Sequence, residues 1–128
     1  LQALVDTTVE KYGGIDIIVN NAGGAWPNDP LKTDAKTFNR DFDFNVTTAF
    51  NLCRLAQPEL LKRKGNIINI TSASARYAQK GFSSYGTAKA ALTQQASRFK
   101  FSRVETRLNL YVLGVFAFQA LLHNFHVE

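Results

Sequence analysis

Apolar residues recur at helical spacing from the start of the chain. The pair Gly13-Gly14 ends this first pattern, and one helical face collects its apolar members: Leu1, Leu4, Val5, Val9 and Tyr12. This spacing predicts an amphipathic helix that docks one face on the rest of the protein.

A second helical pattern runs as far as Lys64. Thr33 can cap its first turn, which contains Asp34, and both Asn45 and Pro58 lie inside it. Its apolar positions keep the helical spacing: Phe38, Phe42, Val46, Ala49, Phe50, Cys53 and Leu60. We therefore expect a long helix in which Asn45 is either a tolerated polar residue or the position of a kink.

Short apolar runs separate the helical patterns. Residues 15–19 and 66–70 are rich in β-branched side chains, which is typical of strands in a parallel sheet covered on both faces. Ser83 or Ser84 can cap a third helix that runs to about residue 104, and residues 108–113 predict a third strand. Alternation of helices and strands predicts an α/β fold, as part of a doubly wound parallel sheet with three strands and flanking helices.

Composition is that of a packed domain. The chain has 128 residues, of which 45% are hydrophobic and 20% are charged, so we expect a single domain rather than a disordered or fibrous chain. Methionine is absent and Leu1 already lies in a helical pattern, so we expect the chain to be part of a longer protein. The longest apolar-rich stretch, residues 108–122, is shorter than the roughly 20 residues that cross a bilayer, which favours a soluble protein.

Cysteine usage bears on the cellular compartment. Cys53 is the only cysteine, which excludes an internal disulfide and a zinc site built from several cysteines. The chain also opens without a basic and apolar leader. These features favour a reducing compartment, and we expect a cytoplasmic protein.

The net charge of +5 is unevenly distributed. Residues 1–60 have five Lys/Arg against eight Asp/Glu, whereas residues 61–128 have ten against two. The run Lys62-Arg63-Lys64 before Gly65 is typical of a helix carboxyl end, where cations complement the dipole. Four later cations alternate with apolar residues, as on a solvated helix face: Arg98, Lys100, Arg103 and Arg107. We expect no nucleic-acid partner; a steep salt dependence of binding would favour that alternative.

Tyr85 and Lys89 are the residues with the clearest chemical potential. They lie four positions apart on a predicted helix, so their side chains share one face. A free phenol has a pKa of about 10, and a neighbouring ammonium favours the phenolate and lowers that pKa. The pair can then exchange a proton with an alcohol or a carbonyl. Taken alone, a half-buried tyrosine beside a surface lysine is the alternative interpretation.

Three other features fall near the ends of the predicted strands. The first strand leads into Asn21-Ala22-Gly23, whose small residues allow a ligand to approach the backbone. Ser72 follows the second strand and can offer a hydroxyl to a substrate oxygen. A kink at Asn45 would free a backbone carbonyl that can hold a water. Ligands bind at the carboxyl ends of parallel strands, so these features indicate a site there.

The order V-N-N-A-G, Asn45, I-T-S and Y-G-T-A-K resembles the short-chain dehydrogenase/reductase family over residues 13–93. The resemblance implies a Rossmann-type sheet, NAD or NADP as cofactor, and reversible hydride transfer between an alcohol and a ketone. It also implies a small-molecule substrate and a homo-oligomer in the full-length parent, formed through the helices around residues 46–61 and 85–98.

The same resemblance assigns roles to individual residues. Tyr85 would give or take the proton, and Lys89 would lower the tyrosine pKa and bind the nicotinamide ribose. Ser72 would orient the substrate oxygen, and Asn45 would hold a water that links Lys89 to solvent. A cofactor-lining segment that also ties adjacent strands would consist of Asn21, Ala22 and Gly23.

Some family features have no match in these 128 residues. The Gly-rich fingerprint T-G-x-x-x-G-x-G is absent, so the sequence does not distinguish NAD from NADP. Arg107-Leu108-Asn109 stands where the family has R-V-N, Leu113-Gly114 stands where it has P-G, and Phe118 replaces a usual threonine. We therefore expect residues 1–128 to form one partial domain with a divergent tail, residues 107–128.

Two alternative interpretations concern the chain as a whole and its last residues. An inactive fragment could serve only as a helix-mediated dimerisation module, which light scattering would test. His123 and His126 lie three positions apart with Glu128 nearby, a spacing that can ligate a metal on a helix. Surface residues near a chain end are the favoured interpretation, and we expect no metal site.

Overall fold

The computed structural model describes residues 1–98 and 109–110. A π-helical turn at Asp43–Thr47 joins two of the helices, and a short 3-10 turn at Ala73–Ala75 follows the second strand. The main elements are α1 (Gln2–Tyr12), β1 (Ile17–Asn20), α2 (Ala35–Phe42), α3 (Thr48–Arg63), β2 (Asn66–Ile70), α4 (Ser83–Arg98) and β3 (Asn109–Leu110). Within the described residues, no helix is both long and apolar enough to cross a membrane.

The three strands form one parallel sheet in the order β1-β2-β3. Ile18 pairs with Ile67 and Asn20 with Asn69, and Asn69 in turn pairs with Asn109 of β3. The predicted alternation of helix and strand is confirmed. The other positions of the predicted third strand, and the end of the third helix beyond residue 98, lie outside the described residues.

Helices α1 and α3 pack against one face of the sheet. The core between them and the strands consists of Val5, Ile15, Ile18, Cys53, Ala56, Leu60 and Ile67. On the opposite face, Ile17 is 57% and Val19 is 54% exposed. The prediction that both faces of this strand are covered is therefore wrong for the described part of the chain, because its helices cover only the Ile18 face.

The face of α1 is also less buried than its spacing predicts. Val5 is 5% exposed, but Leu4 is 57% and Tyr12 is 67% exposed. The helix ends as predicted at Gly13, whose φ of 77° is left-handed and whose N–H donates to the Val9 carbonyl at 2.8 Å. A guanidinium nitrogen of Arg63 then donates to the Gly13 carbonyl at 2.7 Å, which ties α1 to the end of α3.

The helix caps differ by one residue from the predictions. Asp34, and not Thr33, caps α2: its carboxylate accepts a 2.8 Å hydrogen bond from the Thr37 N–H, which lowers the Asp34 pKa. At the end of α3, Lys64 and not Gly65 is left-handed, with a φ of 52°. A Cβ at Gly65 would lie 2.5 Å from the Asp16 carbonyl oxygen, so this glycine is needed for close backbone approach.

Candidate active site

Two buried asparagines tie the strand ends together. The Asn20 amide donates to Asn69 Oδ1 at 2.7 Å and to Cys53 Sγ at 3.3 Å, and the Asn69 amide donates to the Leu92 carbonyl at 3.4 Å. The family resemblance predicts that residues 21–23 tie adjacent strands. Among the described side chains, Asn20, one position before that segment, faces the core and ties β1 to β2. The missed signal is a polar residue at paired positions of two apolar strands.

Asn45 lies in the π-helical turn and clamps the loop after β1. Its Oδ1 accepts from the Gly24 N–H at 2.9 Å, and its Nδ2 donates to the Gly24 carbonyl at 2.8 Å and to the Asp41 carbonyl at 2.7 Å. The side chain is fully buried. The predicted irregularity at Asn45 is thus a π-helical turn, a feature that is frequent at functional sites.

Gly23 brings this clamp against Lys89. A Cβ at Gly23 would lie 2.5 Å from Asn45 Oδ1 and 2.9 Å from Lys89 Nζ, so only a glycine leaves room for both groups. Gly23 is exposed, as are Asn21 and Ala22. Three of the predicted residues, Gly23, Asn45 and Lys89, therefore meet at one edge of the sheet.

Tyr85, Ser72 and Lys89 form the second part of the same cluster. Tyr85 and Ser72 are both buried, and interaction with the Ser72 side chain lowers the Tyr85 pKa. Lys89 Nζ lies 5.7 Å from the centroid of the Tyr85 ring and donates to the Ile70 carbonyl at 3.1 Å. The structure thus brings together all four residues that the sequence analysis selected for proton chemistry.

Burial controls the pKa values of this cluster. It raises the pKa of Tyr85, which the interaction with the Ser72 side chain only partly offsets, and it lowers the pKa of Lys89. The expectation that Lys89 lowers the tyrosine pKa is not met here. The ammonium lies over the ring and bonds to Ile70, so desolvation of the phenol has the larger effect.

The burial of Lys89 predicts a pH-dependent stability. Its folded-state pKa lies below the ordinary 10.5, so the unfolded chain binds more protons between the two values. The free-energy cost of burying the charge is therefore complete below this pH window and is relieved as pH rises through it.

Urea unfolding of the wild type and of Lys89→Met between pH 7 and pH 10 tests this prediction. The free energy of unfolding should rise with pH in the wild type relative to the variant. Parallel pH curves would contradict it, and Lys80→Met, at an exposed lysine, is the control.

A second buried pair, which the sequence did not predict, lies beside the site. Ser84 Oγ donates to Asp41 Oδ2 at 2.6 Å, although the two residues lie 43 positions apart. Ser84 therefore does not cap α4, which begins at Ser83. Asp41 also lines a cavity of about 650 Å³ whose other lining residues are Gly24, Ala25, Trp26, Arg40 and Phe44. No feature of the local sequence around either residue indicates this contact.

The cluster has unused hydrogen-bonding groups beside open space, as a ligand site requires. The Lys89 ammonium has three N–H donors, and within the described residues only the Ile70 carbonyl accepts one of them. Directly after β2, Thr71 Oγ1 is buried and has no hydrogen-bond partner among the described residues. A Cβ at Gly24 would meet nothing within 4 Å, so the loop borders open space.

The candidate metal ligands His123, His126 and Glu128 lie outside the described residues.

Comparison with known proteins gives the same family. The sequence model of the short chain dehydrogenases matches residues 1–118. An uncharacterized oxidoreductase of Mycobacterium tuberculosis is 46% identical over 91 residues, which cover 70% of this chain and 35% of that protein. An L-fucose dehydrogenase of Rattus norvegicus is 38% identical over 112 residues, with 85% of this chain and 42% of the relative covered.

A solved structure also matches the described fold. A 7α-hydroxysteroid dehydrogenase complexed with NADH and 7-oxo glycochenodeoxycholic acid has a TM-score of 0.73 at 36% identity, with 79% of this chain and 40% of that chain covered. The Rossmann-type fold class is thereby confirmed. This chain spans less than half the length of the three matched proteins, and the family match includes part of the segment expected to diverge, residues 107–128. With nine-tenths of its residues matched by the family model and its site motifs in family order, the chain belongs to the short-chain dehydrogenase family.

Proposed function

We propose that this chain supplies the proton-transfer site of an NAD(P)-dependent oxidoreductase that interconverts an alcohol and a ketone. The observation that carries the proposal is the buried contact of Tyr85 with Ser72, with Lys89 Nζ 5.7 Å from the tyrosine ring. A phenol held between a hydroxyl and an ammonium, away from water, is equipped to exchange a proton with a substrate oxygen.

The residues divide the work as follows. Bound NAD(P) would supply or accept the hydride at the substrate carbon. Ser72 holds the substrate oxygen beside the phenol, and Tyr85 donates its proton during reduction and takes it back during oxidation. Because burial raises the pKa of Tyr85, the phenol is protonated at neutral pH, which favours donation to a ketone. The free N–H groups of Lys89 bind ribose hydroxyls. The positive charge of Lys89 stabilises the negative charge that forms on the phenol.

A cofactor titration tests this proposal. Trp26 is the only tryptophan and lies two residues beyond Gly24, so its fluorescence can report ligand binding at the loop after β1. We expect saturable quenching of the folded 128-residue chain by NADH or NADPH. Lys89→Met should weaken binding, because it removes the ribose-binding ammonium, and Lys80→Met should not. Circular dichroism monitors folding in parallel; a folded chain that binds neither dinucleotide would contradict the proposal.

The proposal extends to the class of substrate. One relative is named for L-fucose, and the matched structure contains a steroid ketone. Both molecules offer a secondary alcohol or ketone, which is the group that Ser72 and Tyr85 would contact. We therefore propose a small secondary alcohol or ketone as substrate.

The single buried thiol of Cys53 fits a reducing compartment such as the cytoplasm.

Self-association is a second candidate function, and exposed apolar side chains on the long helical segment favour it. Phe44 is 49%, Phe50 is 44% and Leu61 is 39% exposed. Exposed apolar side chains supply contact area that self-association would bury. We expect a homo-oligomer in size-exclusion chromatography with light scattering, and we expect Phe50→Glu to shift it toward monomer. A folded monomer at all concentrations would contradict this candidate.

A further inference from the structure

A buried carboxylate outside the family motifs connects two elements of the site. Asp41, near the end of α2, is 3% exposed, and its Oδ2 accepts a 2.6 Å hydrogen bond from Ser84 Oγ. Ser84 is 5% exposed and lies in the first turn of α4, directly before Tyr85. The side chain of Asp41 is thus bonded to the residue next to the proposed proton donor.

The backbone of Asp41 is bonded to a second member of the site. Its carbonyl accepts a 2.7 Å hydrogen bond from Asn45 Nδ2, and the same nitrogen donates to the Gly24 carbonyl at 2.8 Å. The adjacent Gly23 separates Asn45 from Lys89 with no room for a Cβ. One residue therefore contacts both the clamp on the loop after β1 and the helix that contains Tyr85 and Lys89.

The surroundings of the carboxylate favour a fixed position. A buried carboxylate without hydrogen bonds is strongly unfavourable, so its contacts define where the neighbouring helix can lie. On the side of the Asp41 carboxylate that faces α4, Ser84 donates to Oδ2. This oxygen lies at the amino end of α4, where the helix dipole favours a negative group. On the outer side Arg40, which is 63% exposed, contacts Oδ1 at 3.2 Å. Of the described contacts of the carboxylate, the bond to Ser84 is the one that reaches toward the site.

We propose that Asp41 is a positioning residue for the reaction. Through Ser84 it sets the first turn of α4, so that the Tyr85 hydroxyl meets Ser72. Through Asn45 it sets the spacing between the loop and Lys89. The inference rests on the proposed function, and it assigns Asp41 no contact with substrate or cofactor.

Matched variants test the proposal, because each buried residue has an exposed neighbour of the same type. Asp41→Ala and Ser84→Ala should lower kcat by about 10²-fold, the loss that follows when a reacting group is misplaced by about 1 Å. Asp43→Ala and Ser83→Ala, at exposed positions one or two residues away, should keep the wild-type kcat. Ser84→Thr keeps a hydroxyl and should restore activity. The double variant Asp41→Ala/Ser84→Ala should lose no more than either single variant.

A second readout is independent of turnover. The near-UV circular dichroism of Tyr85 is obtained as the difference between each background with and without Tyr85→Phe. This signal should collapse in Asp41→Ala and Ser84→Ala and persist in Asp43→Ala. If Asp41→Ala fails to fold, Ser84→Ala and Asp41→Asn answer the same question.

The results of these experiments distinguish a failure of the Asp41 positioning role from a failure of the proposed function. Folded variants with wild-type kcat and an unchanged Tyr85 signal would overturn the positioning role. A loss of kcat that only follows the folded fraction would overturn it too. Absence of turnover in the wild type would count against the proposed function, and the Tyr85 signal would still decide whether Asp41 positions the tyrosine.

Discussion

Tyr85→Phe should lower kcat by about 10²–10⁴-fold for ketone reduction with NADPH or NADH, the range that general acid catalysis contributes. The substitution removes the phenolic oxygen and keeps the ring that packs beside Lys89. The interaction with the Ser72 side chain is lost, which should lower the free energy of unfolding by no more than about 0.5–1.5 kcal/mol. The variant should therefore be folded and bind the cofactor while losing its proton donor.

The control for this prediction is Tyr77→Phe. Tyr77 is 71% exposed, and removal of its hydroxyl should leave both kcat and stability unchanged. Initial rates with each dinucleotide, together with a urea unfolding curve for each variant, complete the comparison. Near-normal turnover by folded Tyr85→Phe would refute the assignment of proton transfer to this phenol.

The pH profile adds a direction to the same prediction. Since burial raises the pKa of Tyr85, its acid form persists throughout the neutral range. We expect kcat for ketone reduction to be flat near neutral pH and to fall only in strongly alkaline solution. The reverse reaction needs the phenolate. We therefore expect kcat for alcohol oxidation to rise with pH from the neutral range into the alkaline range.

The order of elements was predictable from sequence because it depends on local periodicity. Helical spacing and β-branched runs located the α-helices and strands of the described residues, but α2 and α3 were predicted as one helix and the 3-10 turn at Ala73–Ala75 was not predicted. The helix caps were harder to predict. Thr33 and Asp34 are both good capping residues, and only the hydrogen bond from Thr37 decides between them. Coverage of the sheet was mispredicted because a run such as Ile17-Ile18-Val19 is apolar on both faces, whichever face the described helices cover.

The site was predictable where its residues form short motifs. Tyr85 with Lys89, and Ser72 at a strand end, share the local spacing of the family. The contact between Ser84 and Asp41 depends on how α2 packs on α4, and no short motif contains it. The tyrosine pKa was mispredicted for a similar reason, since a pairwise argument from Lys89 omits the desolvation that the whole fold imposes.

Gly23→Ala should disable the site while its neighbour Gly24→Ala leaves it intact. A Cβ at Gly23 would lie 2.5 Å from Asn45 Oδ1 and 2.9 Å from Lys89 Nζ, whereas a Cβ at Gly24 would meet nothing within 4 Å. Asn45 is fully buried and held by Gly24 and Asp41, so it has little freedom to move away. The ammonium of Lys89 is at the end of a flexible chain and should be displaced from the ribose site.

The two variants form a matched pair, because both exchange a glycine for alanine without a left-handed φ at either position. Gly23→Ala should lower kcat/KM by about 10²-fold, since it moves a group that binds the reacting molecule. It should also lower the free energy of unfolding by about 1–3 kcal/mol, as overpacking does elsewhere. Gly24→Ala should stay near wild type in kinetics and in urea unfolding. Equal losses in both variants would show that the loop requires glycine for its backbone alone, and the separation of Asn45 from Lys89 would then have no special role.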